Sequence, residues 1–179
     1  SQLFRVARIK LDTTGITGLR EGMAVITHNG VVGRLDKVSG SYADVMLITD
    51  SRSQIHATIA GKGVIGTVRG TGKRNEFKVR FVFLERAERR GKIVDGDAVL
   101  TTGHDRVFPS GLEIGHIVST KTTQRGAYHQ HTLTPAVALA TLEEVLIVTD
   151  HHAPQRKAPI PQAARSKRRR LDPANTPDG

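Results

Sequence analysis

Over its first 150 residues the chain repeats one pattern, in which a short apolar run is followed by a turn that contains glycine. Valine, isoleucine and leucine occupy every second position or fill runs of four to eight residues, which is typical of β-strands. The predicted strands are residues 4–11, 23–28, 31–38, 43–49, 55–60, 63–68, 76–84, 97–102, 113–121, 129–137 and 143–149. The segment 84–91 is predicted as a single turn or loop. The pattern therefore predicts an all-β fold, either a sandwich or small closed barrels.

The strand at residues 76–84 shows how such a fold would pack. One face carries four apolar side chains: Phe77, Val79, Phe81 and Phe83. The other face carries Lys78 and Arg80, so a core strand with a solvated face is the favoured interpretation. The alternative is an aromatic platform for stacking nucleic-acid bases, which requires the rings to be exposed beside the basic residues.

Two glycine patterns indicate tight turns. Asn29-Gly30 is suited to the positive φ angles of a two-residue hairpin. The glycines in residues 61–66 have the spacing of a dinucleotide-binding fingerprint, but that site needs a helix directly after the glycines. Because the next residues continue as an apolar strand, a hairpin turn is the favoured interpretation.

Half of the net charge of +10 lies at the C-terminus, and residues 1–150 carry the other +5. Residues 151–179 carry seven Lys or Arg, two Asp or Glu and five of the seven prolines. This composition predicts a disordered basic tail at 150–179, because it cannot bury enough apolar surface to order itself. The run 167–170 is interpreted as solvated, with contact to anionic headgroups or wall polymers as the alternative.

The composition also limits the remaining chemistry. The chain has no cysteine, so the redox state of its compartment cannot be inferred and no thiolate metal site is available. His129 and His131 share one face of a strand and could bind a metal together, but two ligands do not make a site. A solvated strand face is therefore favoured for them, and no cofactor or metal is expected.

One serine-protease pattern has to be considered. His56, then Asp97 or Asp105, then Ser110 occur in the order of a catalytic triad. Ser110 follows a proline and lacks the donor-rich turn that would form an oxyanion hole. It is interpreted as a turn residue, and the chain is not expected to be an enzyme.

Several glycine-bounded segments, taken in order, resemble the periplasmic region of the MreC family of bacterial cell shape-determining proteins. The segments are 21–39, 43–61, 64–70, 93–119 and 135–148, so the resemblance covers about residues 5–149. The first motif contains Gly22, Met23, Val25, Gly30 and Gly33. The second and more specific motif contains Gly96, Asp97, Val99, Thr101 and Gly103, followed by Phe108, Pro109, Gly111, Leu112 and Gly115.

The resemblance implies a fold of two six-stranded β-barrels in tandem, remotely like chymotrypsin but without its active site. We expect residues 1–54 to form the first barrel, with residues 143–149 as the candidate strand that completes it, and residues 55–142 to form the second. The stretch 104–106 departs from the family pattern, which argues against a catalytic His-Asp pair there. The same region is expected to be a corner, with bends at two glycines, Phe108 plugging a barrel end and Pro109 stiffening the path.

The function that the resemblance implies is a non-catalytic scaffold for cell-wall elongation in rod-shaped bacteria. Its expected partners are a second copy of the chain, the elongation penicillin-binding transpeptidase, MreD, RodA and, indirectly, MreB filaments. A membrane helix and a coiled coil precede the barrels in that family, so the chain is expected to be the soluble part on the periplasmic side of the inner membrane. The alternative is a basic β-barrel that binds nucleic acid, although no nucleic-acid partner is expected.

These expectations predict weak self-association through the least closed sheet edge. The chain should be mostly monomeric in dilute solution and associate at high concentration. Adding the N-terminal helical region should strengthen association markedly, because a second contact raises the effective concentration of the first. Light scattering on both forms measures this, and equal association with and without the helix would refute it.

Overall fold

The structure is a computed structural model that describes residues 8–73, 79–84, 92–119 and 128–149. Within these ranges the strands are β1 (Arg8–Asp12), β2 (Ala24–Thr27), β3 (Gly30–Ser39), β4 (Tyr42–Leu47), β5 (Gln54–Ile59), β6 (Ile65–Gly70), β7 (Val79–Leu84), β8 (Ala98–Thr101), β9 (Glu113–Ser119), β10 (Tyr128–Pro135) and β11 (Leu146–Ile147). A short 3-10 helix at Leu139–Thr141 precedes β11. Each predicted strand overlaps an observed one, and the all-β prediction is confirmed. The predicted tail at 150–179 lies outside the described residues.

The first sheet has the strand order β1-β4-β3-β2-β11. Every neighbouring pair in it is antiparallel, and β11 joins by pairing Ile147 with Val25 and Leu146 with Ile26. Over the described ranges this sheet is open and has five strands, whereas a closed six-stranded barrel was expected. Within those ranges its two edge strands, β1 and β11, therefore each have one side without a strand partner.

The second sheet closes on itself. Its strands follow the order β10-β7-β6-β5-β8-β9, with β9 paired back to β10. The hairpin between β5 and β6 confirms the turn interpretation for residues 61–66, since Gly61 and Gly63 both adopt positive φ. Closure leaves this barrel without an exposed edge strand.

The apolar face of β7 points into the closed barrel. Phe81 is 0% exposed, Val79 and Phe83 are also buried, and the two phenylalanine rings lie 5.3 Å apart between centroids. Phe77, the fourth residue predicted on this face, lies outside the described residues. The buried rings leave no aromatic platform on β7, so the nucleic-acid alternative loses its main support.

The two sheets share a continuous core, and glycines allow their backbones to meet. A Cβ atom on Gly30, in the β2–β3 turn, would lie only 2.2 Å from the carbonyl oxygen of Glu113 on β9. A Cβ atom on Gly70, at the end of β6, would lie 2.0 Å from the carbonyl oxygen of Asp50. Only glycine fits at these two points, because any side chain would push the sheets apart.

A buried carboxylate also fixes the connection between β4 and β5. Asp50 is almost fully buried and accepts hydrogen bonds from the guanidinium of Arg52 at 3.1 Å. This bonding raises the pKa of Arg52. Asp36 on β3 lies 3.9 Å from Arg52 and 2.6 Å from Arg8 on β1, so the connection is linked to the first sheet through alternating charges.

Replacing Phe81 with alanine tests the core of the closed barrel. The change should lower the free energy of unfolding by about 3 to 5 kcal/mol, because it leaves a cavity among fully buried neighbours. Val118→Ala on the exposed side of β9 is the control and should change it by less than about 0.5 kcal/mol. Urea unfolding measures both, and a loss below 1 kcal/mol for Phe81→Ala would show that the face is not a packed core.

Candidate interaction surface

The stretch between β8 and β9 forms a corner that is held by hydrogen bonds. Gly103 and Gly111 adopt φ angles of 76° and 86°, which supply the two bends. The buried hydroxyl of Thr101 donates to the carbonyl oxygen of Pro109 and accepts from the backbone N–H of Leu112 at 3.0 Å. Phe108, between the bends, is buried in the core. The arrangement agrees with the interpretation of this stretch as a corner.

The His104-Asp105 pair belongs to the same corner. Oδ1 of Asp105 accepts the backbone N–H groups of Val107 at 3.0 Å and Phe108 at 3.1 Å, whereas His104 is exposed. Arg106 has a positive φ of 57°, which is unusual for a residue with a side chain. Asp105 therefore shapes the loop with one carboxylate oxygen.

The residues that occur in the order of a catalytic triad make other contacts in the structure. Asp97 binds Nζ of Lys62 at 2.6 Å and the backbone N–H of Val94 at 2.8 Å. The carbonyl oxygen of His56 accepts from Thr102. In the part of the chain that the structure describes, no hydrogen bond joins the side chains of His56, either aspartate and Ser110.

The remaining motif residues lie at turns and at close backbone contacts. Gly22 and Gly96 have φ angles of 88° and 89°, and their N–H groups bond to the carbonyl oxygens of Leu35 and Ile117. Met23 packs partly buried against the core. Gly33 and Gly115 sit where a Cβ atom would lie 2.0 Å from the carbonyl of Met46 and 2.1 Å from that of Thr134.

His129 and His131 are in the interior, so the expectation of a solvated face is wrong. They are 6% and 3% exposed, and their rings lie 5.8 Å and 5.4 Å from that of Phe83. Leu133 follows on the same buried face of β10. The ring contacts and the hydrogen bond between Nδ1 of His131 and the carbonyl of Ser119 place these imidazoles in a packed core. Across the ranges given above, no group of three potential metal ligands occurs.

The first sheet carries a groove of about 700 Å³. Its walls come from both edge strands, β1 and β11, together with the segment that leads into β11. The sheet must therefore curl until its two edges face each other across the groove. Its partly buried apolar side chains are Ile9, Leu11, Leu142, Val145 and Ile147. Two further apolar residues are exposed there, Ile16 by 52% and Leu146 by 61%. We refer to this feature as the edge groove.

Among the described residues, backbone groups on both walls of the edge groove have no strand partner. In an antiparallel pair, successive residues direct their backbone groups alternately toward the partner strand and away from it. The N–H of Thr13, directly after β1, donates to the carbonyl oxygen of Ser41, directly before β4. Lys10 and Asp12 consequently direct their backbone groups to the open side of β1. The N–H of Val148 bonds to Ala24, so Ile147 directs its backbone groups to the open side of β11.

The rim of the edge groove is acidic. Three acidic side chains lie along it, Asp12, Glu143 and Glu144. Of the described residues that line the groove, Lys10 is the one lysine or arginine. The hydroxyl and backbone N–H of Thr14 donate to Asp12 and hold the pKa of its carboxyl below the usual value. Asp12 is thus ionised at neutral pH. No sequence pattern indicated this groove, because it depends on how distant strands curl together.

Comparison with known proteins gives a consistent result. The family model described as "Rod shape-determining protein MreC, barrel core" matches residues 5–149. The cell shape-determining protein MreC of Listeria monocytogenes is 24% identical over 144 residues, covering 79% of this chain and 48% of that protein. The chain spans about half or less of the length of the curated relatives that it matches. In the described ranges no helix is long and apolar enough to cross a membrane.

Solved structures share the fold. The crystal structure of MreC from Pseudomonas aeruginosa has a TM-score of 0.71 at 21% identity, covering 83% of this chain and 92% of that one. A complex between the penicillin-binding protein PBP2 and MreC from Helicobacter pylori contains a chain with a TM-score of 0.57 at 21% identity, covering 73% of this chain and 78% of that one.

Thr101→Val tests the hydrogen bonds of the corner. It should lower the free energy of unfolding by about 1 to 3 kcal/mol, because it leaves a buried carbonyl and N–H unsatisfied while keeping the side-chain shape. Thr102→Val, at the half-buried neighbouring position, removes a 3.2 Å hydrogen bond to the carbonyl oxygen of His56 and should cost less, about 0.5 to 1 kcal/mol. Equal losses in thermal or urea unfolding would show that Thr101 does not hold the corner.

Proposed function

Because the chain belongs to the MreC family of rod shape-determining proteins, we propose that it is a non-catalytic scaffold of the cell-wall elongation machinery. The match of the barrel-core family model to residues 5–149 carries this proposal. The chain acts by presenting surfaces to partners on the periplasmic side of the inner membrane. The corner, where the sequence placed its candidate catalytic pair, is occupied by structural hydrogen bonds.

The partner with most support is the penicillin-binding transpeptidase of elongation. The complex of PBP2 with a Helicobacter pylori MreC of the same fold supports this choice. On this chain the edge groove supplies what an extended partner segment needs. Open backbone groups can extend a sheet, and the exposed Ile16 and Leu146 can be buried in the contact.

Self-association belongs to the same proposal. A second copy can pair with the open edge of β1 or β11, whereas the closed barrel has no edge to offer. MreD, RodA and, indirectly, MreB are further partners by family membership.

The proposal assigns structural roles to the two units and to the motif residues. Residues 1–54 with 143–149 form the first unit, and residues 55–142 form the second. The motif glycines supply turns and close backbone contacts, and Thr101, Phe108 and Pro109 build the corner. Asp97 holds Lys62 in place rather than acting on a substrate.

Charge gives little support to the nucleic-acid alternative. Residues 1–150 carry 20 lysines or arginines and 15 aspartates or glutamates, a net +5, and the other half of the excess lies in residues 151–179. In the described residues the edge groove is lined by three acidic side chains and one lysine. Such a groove is not the basic stripe that marks a nucleic-acid-binding surface.

Binding to the elongation transpeptidase from the same organism tests the proposal. The wild-type chain should bind the immobilised enzyme, and the double variant Ile16→Asp with Leu146→Asp should bind at least tenfold more weakly, about 1.4 kcal/mol. The reason is that two exposed apolar side chains of the edge groove would no longer be buried. Biolayer interferometry measures both affinities.

Ile65→Asp is the matched control, because Ile65 is exposed to a similar degree, 51%, but lies on the closed barrel. It should leave the affinity unchanged. Absence of binding by the wild-type chain would contradict the partner assignment. Equal losses in the control and the double variant would contradict the groove as the contact surface.

A further inference from the structure

The two walls of the edge groove run in the same direction. Four antiparallel pairings lead from β1 through β4, β3 and β2 to β11, so β1 and β11 are parallel to each other. A strand that enters between them and runs opposite to β1 therefore also runs opposite to β11. Antiparallel pairing is slightly more stable per residue than parallel pairing, so this direction is favoured for an occupant.

Apolar and exposed side chains alternate along both walls. On β1, Ile9 and Leu11 are partly buried against the core, and the residues beside them are exposed. On the other wall, Val145 and Ile147 are partly buried on either side of the exposed Leu146. Successive side chains of a strand point to opposite faces, so an occupant that continues this pattern has an apolar side chain at every second position. Its remaining positions then face solvent.

Charge defines the solvent-facing side of the occupant. Asp12, Glu143 and Glu144 are exposed along the rim, and Lys10 is the one lysine or arginine among the described residues that line the groove. Basic side chains at the solvent-facing positions would lie beside carboxylates and keep their contact with water, whereas acidic side chains would be repelled there. Basic side chains at the inward positions would be buried without a partner, which is strongly unfavourable.

We propose that the edge groove recognises an extended partner segment that runs opposite to β1 and alternates apolar with basic side chains. The inference rests on the proposed function, because it specifies the kind of segment by which a protein partner engages the groove. Backbone groups of Lys10, Asp12 and Ile147 point to the open sides of the two walls in the described residues. A segment that pairs with them must supply its own N–H groups, so it contains no proline.

A second copy of the chain is the competing occupant, and it fits less well. The edge strands of the first sheet already pair on one side, β1 with β4 and β11 with β2. Such a strand offers its other side to one wall of the groove only. A segment that is not part of a sheet can contact both walls, so an extended segment of a partner is favoured.

Synthetic peptides test the sequence pattern. The probe is a peptide that alternates valine with lysine, and fluorescence anisotropy measures its binding to the full chain at low salt. One control peptide has glutamate in place of every lysine, and the other has the same composition with all valines before all lysines. Each control should bind about tenfold more weakly, because the first is repelled by the rim and the second buries lysines. Absence of binding by the probe, or equal affinity of the three peptides, would overturn the proposal.

Paramagnetic labels on the probe report its place and direction. In NMR spectra of the chain, a nitroxide at the N-terminus of the peptide should broaden the amide signal of Asp12 more than that of Arg8, since the two strands run in opposite directions. A nitroxide at the C-terminus should have the reverse effect. The opposite order would show parallel pairing, and broadening centred on Ile65 of the closed barrel would show that the groove is not the site. Either result contradicts the proposal.

Charge variants test the role of the rim. Glu143→Lys with Glu144→Lys should weaken binding of the probe and strengthen binding of the glutamate peptide. Glu21→Lys with Asp95→Lys is the matched control, because both acidic residues are exposed and lie outside the groove, and it should leave the order of the peptides unchanged. Salt at about 1 M, where charges are screened beyond about 3 Å, should remove most of the preference for lysine. If the groove variant does not fold, the preference of the wild-type chain between the two peptides and its response to salt still decide the result.

Competition separates this inference from the proposed function. The probe should displace the chain from the immobilised transpeptidase. Transpeptidase binding that the probe does not displace would overturn the proposed segment and leave the partner intact. Binding of the probe in the groove without any transpeptidase binding would overturn the partner and leave the segment chemistry intact. If the probe abolishes only self-association, measured by light scattering, the occupant is a second copy and the proposal is wrong.

Discussion

Close contact between backbones is the constraint on which the rest of the structure depends. At Gly30, Gly33, Gly70 and Gly115 a Cβ atom would lie between 2.0 and 2.2 Å from a carbonyl oxygen. Two of these contacts lie within a sheet and two lie where separate parts of the chain meet. The strands can curl as tightly as they do, and the two units can share a core, only while these four positions have no side chain.

The first sheet follows from this curvature. Gly33 lets β3 approach β4 closely, and the resulting sheet curls until β1 and β11 line one groove. The ionic chain from Asp50 through Arg52 and Asp36 to Arg8 then links the inter-sheet connection to β1. In the described residues the edge groove is thus a product of an incomplete closure of the first sheet, whereas the second sheet closes on itself.

Local pattern in the sequence was sufficient for the strands and the hairpin at Gly61, because each depends on neighbouring residues, whereas the corner at Gly103 was expected from the family resemblance. The alternation of side chains along β10 also placed His129 and His131 on one face of the strand. It does not show which face is buried, and the polarity of histidine led to the wrong expectation that this face is solvated. Stacking on Phe83 reversed that choice. Periodicity predicted neither the pairing of Lys62 with Asp97 nor the edge groove, because both depend on residues that are far apart in sequence. The family resemblance predicted the closed second barrel. It also implied six strands in the first sheet, whereas the described residues form five.

The continuous core has a consequence for how the molecule loses its structure. Because buried residues of both sheets form one cluster, with Phe108 and Leu139 among them, neither sheet can open without exposing apolar surface of the other. The two units that topology separates should therefore melt together, in one cooperative transition. The chain therefore has two sheets in its fold but a single expected unfolding transition.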